Sequence, residues 1–270
     1  MSDAYDLIVV GAGMVGASCA LAAAQKGFRV ALLERAEPPL QWSADSHDLR
    51  VSALTRASQC ILDNLGVWSA MHQDRVTAYQ QMHVWERKGL GEIHFAAADI
   101  GEPDLGHIVE NRVMVAALWR AVQQHPKISV MLGRELLALS GGVLQFADGE
   151  TLQAELLIGA DGARSRLREL SGIGLSGRDY DQHALVATVR ASAGNANAAW
   201  QRFLPEGPLA LLPINEDLFS IVWSMHPESA KRLQDEPPEV FNQALTDASQ
   251  QVCGDLQLLG ERAVFPLRLQ

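Results

Sequence analysis

Apolar residues follow a strand–helix–strand pattern at the start of the chain. The apolar run over residues 6–10 predicts a buried strand, and small residues from Gly16 to Ala24 predict a helix that ends at Lys26-Gly27. A second apolar strand over 29–33 ends on Glu34. This order predicts a βαβ unit built on a parallel sheet.

The pattern continues with alternating helices and strands up to about residue 170. Residues 57–68 predict an amphipathic helix with Ile61, Leu62, Leu65 and Trp68 on one side. Antiparallel strands are expected over 78–94, with a turn at 89–91, and a helix over 113–125 that Pro126 ends. A parallel strand over 128–132, a hairpin over 136–146 and a second apolar strand over 156–160 follow.

Beyond residue 177 short apolar runs are separated by Gly, Pro and Asn, which indicates an antiparallel sheet. Strands are expected over 183–191, 200–204, 209–213 and 218–225, then a helix over 238–252 and a final strand over 256–265. The strands near 78–110 are expected to join this later sheet. The predicted fold is therefore α/β, with a Rossmann-like βαβ domain interleaved with an antiparallel β-sheet domain.

The first strand runs into a glycine motif, Gly11-Ala12-Gly13-Met14-Val15-Gly16, that is typical of dinucleotide binding. Gly11 permits a tight turn, Gly13 lets the backbone approach a pyrophosphate, and Gly16 lets the helix lie close to the sheet. The helix N-terminus attracts the anion. We therefore expect Gly11, Gly13, Met14, Val15 and Gly16 to bind a dinucleotide.

The acid at the tip of the second strand strengthens this interpretation. Glu34, with Arg35 beside it, lies where a carboxylate accepts hydrogen bonds from ribose hydroxyls. An ordinary glycine-rich turn would not explain Glu34. The acid favours FAD or NAD over NADP at this site, and the motif does not separate FAD from NAD.

Composition narrows the function classes. The 270 residues are 48% hydrophobic and carry a net charge of −10, so nucleic acid is not an expected partner. The three cysteines show no metal spacing, and no His-based metal motif occurs, so no metal site is expected. There is no signal-like start, and the longest apolar stretch, 14–24, is too short to span a bilayer. We expect a cytoplasmic protein, with peripheral contact at the inner membrane left open.

Two further motifs bear on the cofactor. In LLIGADG, residues 156–162, an apolar strand delivers Asp161 at its tip and Gly162 allows a turn. Asp161 would face the ligand crevice, or would simply cap the following helix. Arg50, in RVSAL, is either a ligand contact or a surface arginine.

Together these motifs resemble the flavoprotein aromatic hydroxylases, the single-component FAD monooxygenases. LGVW (65–68), LGHIVEN (105–111) and ALW (117–119) are similar to the branch that hydroxylates polyprenylated phenols in ubiquinone biosynthesis. The resemblance covers nearly the whole chain and implies that Asp161 and Gly162 lie near the FAD pyrophosphate and that Arg50 contributes to the flavin site. Asn111 occupies a position where relatives often use Arg or Gln toward the flavin, and Arg112 could share that role.

The resemblance implies an FAD-dependent monooxygenase. It would use NAD(P)H and O2, through a C4a-hydroperoxyflavin, to hydroxylate a polyprenylated phenol. The FAD-binding domain would comprise residues 1–75 and 105–176, and the substrate domain residues 76–104 and 177–270. No catalytic residue is assigned. A multi-enzyme complex and the oligomeric state stay open.

One departure from the family pattern matters. A later motif of the type GDAAH, which binds the flavin in relatives, does not occur before Gln270. We therefore expect a truncated chain that binds FAD weakly or not at all and is inactive by itself. Two alternatives stay open: another FAD or NAD oxidoreductase, such as a dehydrogenase or reductase, and, for this chain, a non-catalytic binding module or scaffold.

Overall fold

A computed structural model describes residues 5–86 and 91–269. The strands alternate with helices in the first part of the chain and dominate the second part. The strands are β1 (Tyr5–Val10), β2 (Val30–Glu34), β3 (Val51–Thr55), β4 (Val76–Tyr79), β5 (Gln81–Glu86), β6 (Glu92–Ala96), β7 (Gly106–Glu110), β8 (Ile128–Leu132), β9 (Leu136–Ser140), β10 (Val143–Phe146), β11 (Thr151–Gly159), β12 (Arg178–Ala191), β13 (Ala198–Leu204), β14 (Gly207–Pro213), β15 (Leu218–Met225) and β16 (Leu256–Leu269). The helices are α1 (Met14–Gln25), α2 (Arg56–Asn64), α3 (Trp68–Asp74), α4 (Asn111–Gln124), α5 (Arg166–Leu170), α6 (Pro227–Asp235) and α7 (Pro238–Ala248).

A six-stranded sheet has the order β8-β2-β1-β11-β10-β9. The strands β8, β2, β1 and β11 are parallel, as the apolar runs over 6–10, 29–33, 128–132 and 156–160 predict. On one face α1 and α4 pack in a core that includes Leu21, Leu118 and Trp119. On the other face Leu33, Leu144 and Leu167 form a second core beneath the β9–β10 hairpin and α5.

A seven-stranded sheet has the order β16-β12-β15-β14-β13-β5-β6. Helices α6 and α7 contribute Ala230, Phe241 and Leu245 to a core that covers one face of this sheet. Leu209, Leu211 and Phe219 are fully buried in that core, and Trp200 and Trp223 pack against it. These five side chains therefore belong to the core beneath the helices. Phe203 of β13 is 47% exposed and lies on the opposite face of the sheet.

A three-stranded sheet, β3-β7-β4, connects the two larger sheets. Its Ile108 packs against Ile214 and Leu218, which lie where β14 leads into β15 of the seven-stranded sheet. Tyr79 and Leu212 surround this contact. The prediction that the strands near 78–110 join the later sheet is therefore wrong for β4 and β7, although β5 and β6 do join it. The reason is that β7 pairs with β3 and β4 on both of its sides and leaves no edge for the large sheet.

The predicted helix over 57–68 is two helices, α2 and α3. Gly66 adopts a left-handed conformation with φ of 78°, which ends α2 before the chain re-enters a helix at Trp68. Leu62, Leu65 and Trp68 are buried as expected, but Ile61 is 57% exposed. The helix buries a stripe centred between Leu62 and Leu65, and Ile61 lies about 70° to one side of that centre, at the exposed edge of the stripe.

Other differences concern the second half of the chain. The helix α6 was not predicted; Pro227 stands in its first turn. The helix α7 ends at Ala248 rather than at residue 252, because Gln250 and Gln251 have positive φ values. Strand β16 continues past residue 265 to Leu269. The predicted turn at 89–91 falls largely on residues 87–90, which lie outside the described residues. The predicted α/β fold class is confirmed.

Candidate functional site

Three parallel strands end side by side at one edge of the six-stranded sheet. Leu33 of β2, Val10 of β1 and Gly159 of β11 are neighbours in register. The residues that follow them carry the predicted chemistry: Glu34, the glycine turn that starts at Gly11, and Asp161. In parallel sheets ligands bind at the carboxyl ends of the strands, so these groups share one crevice rather than unrelated surfaces.

The glycines of the turn are required for different physical reasons. Gly11 has a φ of 95°, and a Cβ there would lie 2.4 Å from the carbonyl oxygen of Ala160. A Cβ on Gly16 would lie 1.8 Å from the Gly11 carbonyl oxygen, so α1 approaches the turn only because Gly16 has no side chain. By contrast, a Cβ on Gly13 would meet no atom within 4 Å. The space over Gly13 is therefore open to a ligand.

The N-terminus of α1 faces this open space. Gly13 is the N-cap residue, and no side chain caps the helix there. Met14 is half-buried, and Val15 is 72% exposed. Free N–H groups and the positive end of the helix dipole make such a terminus a site for phosphate groups.

Glu34 fastens the glycine turn as well as facing the crevice. One carboxylate oxygen accepts a hydrogen bond from the Ala12 N–H at 2.7 Å, and the other accepts one from the Arg35 N–H at 2.7 Å. Each oxygen keeps a further lone pair for a hydroxyl donor. The side chain of Arg35 lies at an exposed position. The bond to Ala12 is a role that the sequence analysis did not anticipate.

Asp161 binds the start of the following helix, which is the second of the two roles that the sequence allows. Its Oδ2 accepts hydrogen bonds from the N–H groups of Arg166 and Leu167, at 2.7 and 3.2 Å, at the start of α5. Its Oδ1 is buried and has no hydrogen-bond partner. Gly162 has a φ of 82° and makes the turn that the sequence predicts. One oxygen of the carboxylate therefore binds the first N–H groups of α5, and the other oxygen can still accept a hydrogen bond.

Arg50 and Asn111 lie together at the junction of β3 and β7. The Asn111 N–H donates to the Arg50 carbonyl oxygen at 2.9 Å, and the Ser52 hydroxyl donates to Asn111 Oδ1 at 2.7 Å. The Arg50 guanidinium lies 5.8 Å from the ring centre of Phe265 in β16. Arg50 thus connects the first half of the chain with the seven-stranded sheet.

A buried ionic network, which the sequence analysis missed, holds the segment before Arg50. Glu110, whose side chain is 2% exposed, accepts hydrogen bonds from Arg75 Nη1 at 2.9 Å, from Arg112 Nε at 2.7 Å and from the Asp48 N–H at 2.8 Å. Arg75 and Arg112 also donate to the Ser46 carbonyl oxygen. The loop over 44–48 is therefore tied to the end of β7.

The charges in this network act on Glu110 in opposite directions. Burial favours its neutral form, but the hydrogen bonds from Asp48 and Arg75 and the positive charges of Arg112 and Arg75 hold the pKa of Glu110 below its usual value. Glu110 is therefore ionised at neutral pH and compensates two arginines. The available sequence signal was an acid at the end of an entirely buried strand, followed two residues later by arginine.

The crevice fits a dinucleotide. An uncapped helix N-terminus, open space over Gly13, a carboxylate at the tip of β2 and an unpartnered oxygen of Asp161 converge on one sheet edge. Among the described residues no cluster of His, Cys, Asp and Glu is placed to hold a metal ion. Nor does any helix in that part of the chain have the length and apolarity needed to cross a membrane.

Solved structures share this fold. PqsL from Pseudomonas aeruginosa superposes with a TM-score of 0.77 at 18% identity, over 96% of this chain and 73% of that one. The 2-methyl-3-hydroxypyridine-5-carboxylic acid oxygenase gives a TM-score of 0.70 at 18% identity, over 98% of this chain and 72% of that one. At such identities the likeness shows the fold alone.

Curated relatives are closer in sequence. The 3-demethoxyubiquinol 3-hydroxylase of Escherichia coli (strain K12) is 38% identical over 85% of this chain and 59% of that protein. The mitochondrial ubiquinone biosynthesis monooxygenase COQ6 of Mus musculus is 35% identical over 90% of this chain and 55% of that protein. The ubiquinone hydroxylase UbiL of Rhodospirillum rubrum is 31% identical over 98% of this chain and 62% of that protein. The chain spans less than two thirds of the length of each of these relatives.

The family profile described as FAD binding domain matches residues 4–264, which is nearly the whole chain. Its match includes the strand ends, the glycine turn and the Glu110 network. The chain therefore belongs to the FAD-binding domain family.

Proposed function

We propose that this chain forms the FAD- and substrate-binding part of a monooxygenase that hydroxylates the ring of a polyprenylated phenol, with NAD(P)H and O2 as co-substrates. The similarity to three proteins named as hydroxylases or monooxygenases of ubiquinone or its biosynthesis supports the substrate class. The observation that carries the proposal is the convergence of Glu34, the open Gly13 turn and Asp161 on one sheet edge.

In this proposal the backbone holds the cofactor. The N–H groups of Met14, Val15 and Gly16 bind the pyrophosphate, with Gly13 leaving room for it, and Glu34 accepts hydrogen bonds from the ribose. The Oδ1 of Asp161, on the turn made with Gly162, is buried, so it would accept a hydrogen bond from an ordered water rather than directly from the nucleotide. FAD held by these residues would supply the redox and oxygen-transfer chemistry, with NAD(P)H as the reductant and O2 as the oxygen source.

The remaining residues position and shield the reacting groups. The Glu110 network fixes the loop over 44–48, and so fixes Arg50 and Asn111 at the junction where we propose that they contact the flavin. The face of the seven-stranded sheet on which Phe265 lies is the candidate substrate face, and its apolar side chains exclude water from the ring. The division into an FAD-binding domain (1–75 and 105–176) and a substrate domain (76–104 and 177–270) belongs to the same proposal. So does a peripheral contact with the inner membrane, because the substrate tail is a lipid.

The test is oxygen incorporation by the natural full-length polypeptide after it is loaded with FAD. With NAD(P)H, ¹⁸O2 and a polyprenylated phenol, mass spectrometry should find one ¹⁸O atom in the ring, and NAD(P)H oxidation should accelerate when the phenol is added. Substrate oxidation without ¹⁸O in the product would instead support the dehydrogenase or reductase alternative. A polypeptide that binds FAD but oxidises neither partner would support a binding module.

A further inference from the structure

The two faces of the seven-stranded sheet are covered differently. Helices α6 and α7 cover the face that carries Leu185, Leu211 and Ile221. The opposite face, which we call the inner face, carries a row of side chains that are neighbours in register across successive strands. From the outer edge inward this row is Ile93, Val84, Gln201, Ala210, Val222 and Val186.

The row is uncharged and partly exposed. It contains no charged residue, and Gln201 is its one member with a hydrogen-bonding side chain. Val84, Ala210 and Val222 are only partly buried, whereas Val186 near β16 is 7% exposed. A half-covered apolar surface of this kind favours an apolar ligand.

One end of the inner face lies beside the candidate cofactor site. Ala184 of β12 is paired with Phe265 of β16, one step along the strands from Val186. The Arg50 guanidinium lies against the Phe265 ring. A ligand head group near Arg50 and Phe265 would therefore be at the start of the row.

The other end is the open edge of the sheet. There Ile93 is 56% exposed, Phe95 is 49% exposed and Phe203 is 47% exposed, all on the inner face. Seven strands at a spacing of about 4.8 Å place this edge roughly 29 Å from β16. That distance corresponds to a linear chain of several isoprene units rather than to a compact ring.

We propose that the inner face binds the polyprenyl tail of the substrate, which runs from Phe265 across Val222 and Ala210 to Ile93 at the open edge. This inference rests on the proposed function for the identity of the head group. The continuity of the row with the Arg50 junction, together with its lack of charge, argues for a neutral linear chain. A peptide strand would need the hydrogen-bonding edge of the sheet rather than its face.

The experiment is a tail-length series on the chain without added cofactor, because the proposed path is formed by residues of the sheet alone. Equilibrium dialysis measures the binding of tritiated 2-prenylphenols with one, three and six isoprene units, solubilised with cyclodextrin. The variants are Ala210→Phe, which fills the middle of the row, and Ile93→Glu, which places a charge at its outer end. Leu156→Glu is the matched control, because Leu156 is an equally exposed apolar residue (53%) in the other large sheet.

For the wild type we expect at least a tenfold gain in affinity between one and six units. Ala210→Phe should weaken the three- and six-unit probes about tenfold and change the one-unit probe less than twofold. Ile93→Glu should weaken the six-unit probe alone, and Leu156→Glu should change none. If Ala210→Phe unfolds the chain, as judged by circular dichroism, Ala210→Leu takes its place. Ala210→Leu should weaken the binding of the three- and six-unit probes by less than tenfold, and should again affect them more than the one-unit probe.

Three results would overturn the tail path. The first is an affinity that does not depend on tail length, and the second is an equal loss for all three probes in Ala210→Phe. The third is an Ile93→Glu variant that adsorbs less to phosphatidylcholine vesicles and binds the six-unit phenol normally, since the edge would then be a lipid-surface contact. A six-unit prenylbenzene, which has the tail but no phenol hydroxyl, tests the tail path independently of the proposed substrate head group. If it binds like the phenol and shows the same variant pattern, the tail path stands and the phenol assignment fails.

Discussion

Replacement of Glu110 by glutamine should destabilise the fold because it leaves two buried arginines without a counter-charge. Glu110 is 2% exposed and accepts hydrogen bonds from Arg75, Arg112 and the Asp48 N–H. Glutamine keeps the shape of the side chain and removes its charge. Removal of one partner from a buried ion pair costs about 3–5 kcal/mol. Since Arg75 and Arg112 keep 20% and 16% exposure, we expect the lower end, about 3 kcal/mol.

Urea unfolding followed by circular dichroism measures this loss. With a slope near 3 kcal/mol per molar urea, the midpoint should fall by about 1 M. The matched control is Asp217→Asn, which breaks an exposed pair with Arg190 at 2.8 Å and should cost less than about 1 kcal/mol. Hydrogen exchange should also accelerate at the Asp48 amide in Glu110→Gln, since its acceptor weakens.

The pH dependence of stability tests whether the loss in Glu110→Gln comes from the missing negative charge. The pKa of Glu110 lies below the ordinary value of 4.5 in the folded protein, so the folded state binds this proton less readily than the unfolded chain. The stability that its ionised form provides is therefore complete above pH 4.5 and is lost as the pH falls through the lower, folded pKa. The gap between wild type and Glu110→Gln should be constant from pH 6 to 7 and should narrow below pH 4.5. A gap no larger than that of Asp217→Asn, or one that does not narrow in acid, would refute this reasoning.

Three further outcomes follow from particular contacts. Gly16→Ala should lower stability by about 3 kcal/mol in urea unfolding, because its Cβ would lie 1.8 Å from the Gly11 carbonyl oxygen, and a wild-type midpoint would show that the helix can shift. Asp161→Ala removes the acceptor of the Arg166 and Leu167 N–H groups, leaves Ser165 as the N-cap of α5 and should cost about 1 kcal/mol in the same assay, whereas an unchanged midpoint would show that these two hydrogen bonds do not stabilise the fold. In native protein a disulfide reagent should label exposed Cys60 and spare Cys253, since burial raises the pKa of Cys253 to about 12; rapid labelling of Cys253 would contradict its burial.

The parts of the fold that the sequence predicts are those with local causes. The apolar run before Gly11, the small-residue helix and the acid at Glu34 lie within 30 residues of one another, and each has one physical explanation. The parallel strands and the turn at Gly162 were predicted for the same reason. Their relative placement at one sheet edge follows from the general rule for parallel sheets.

Contacts between residues far apart in the chain, and strands without one clearly apolar face, could not be predicted in this way. The Glu110 network joins residues separated by 29 and 35 positions in the chain, and no periodicity connects them. The buried face of β13 could not be predicted because each face combines an aromatic with a polar side chain, Trp200 with Arg202 and Phe203 with Gln201, so alternation gave no signal. The break at Gly66 was missed because the apolar spacing of Leu62, Leu65 and Trp68 continues across it, although the backbone does not.

The central claim is that a nucleotide pyrophosphate rests on the N-terminus of α1, and a ¹⁵N NMR titration of the chain with ADP tests it most directly. ADP is the half of FAD that these residues would bind. We predict saturable shifts at Gly13, Val15 and Glu34, and at least a tenfold weaker affinity in Gly13→Val, whose Cβ would project into the open space over the turn. Undiminished ADP binding by a folded Gly13→Val variant, or shifts confined to other residues, would contradict the account.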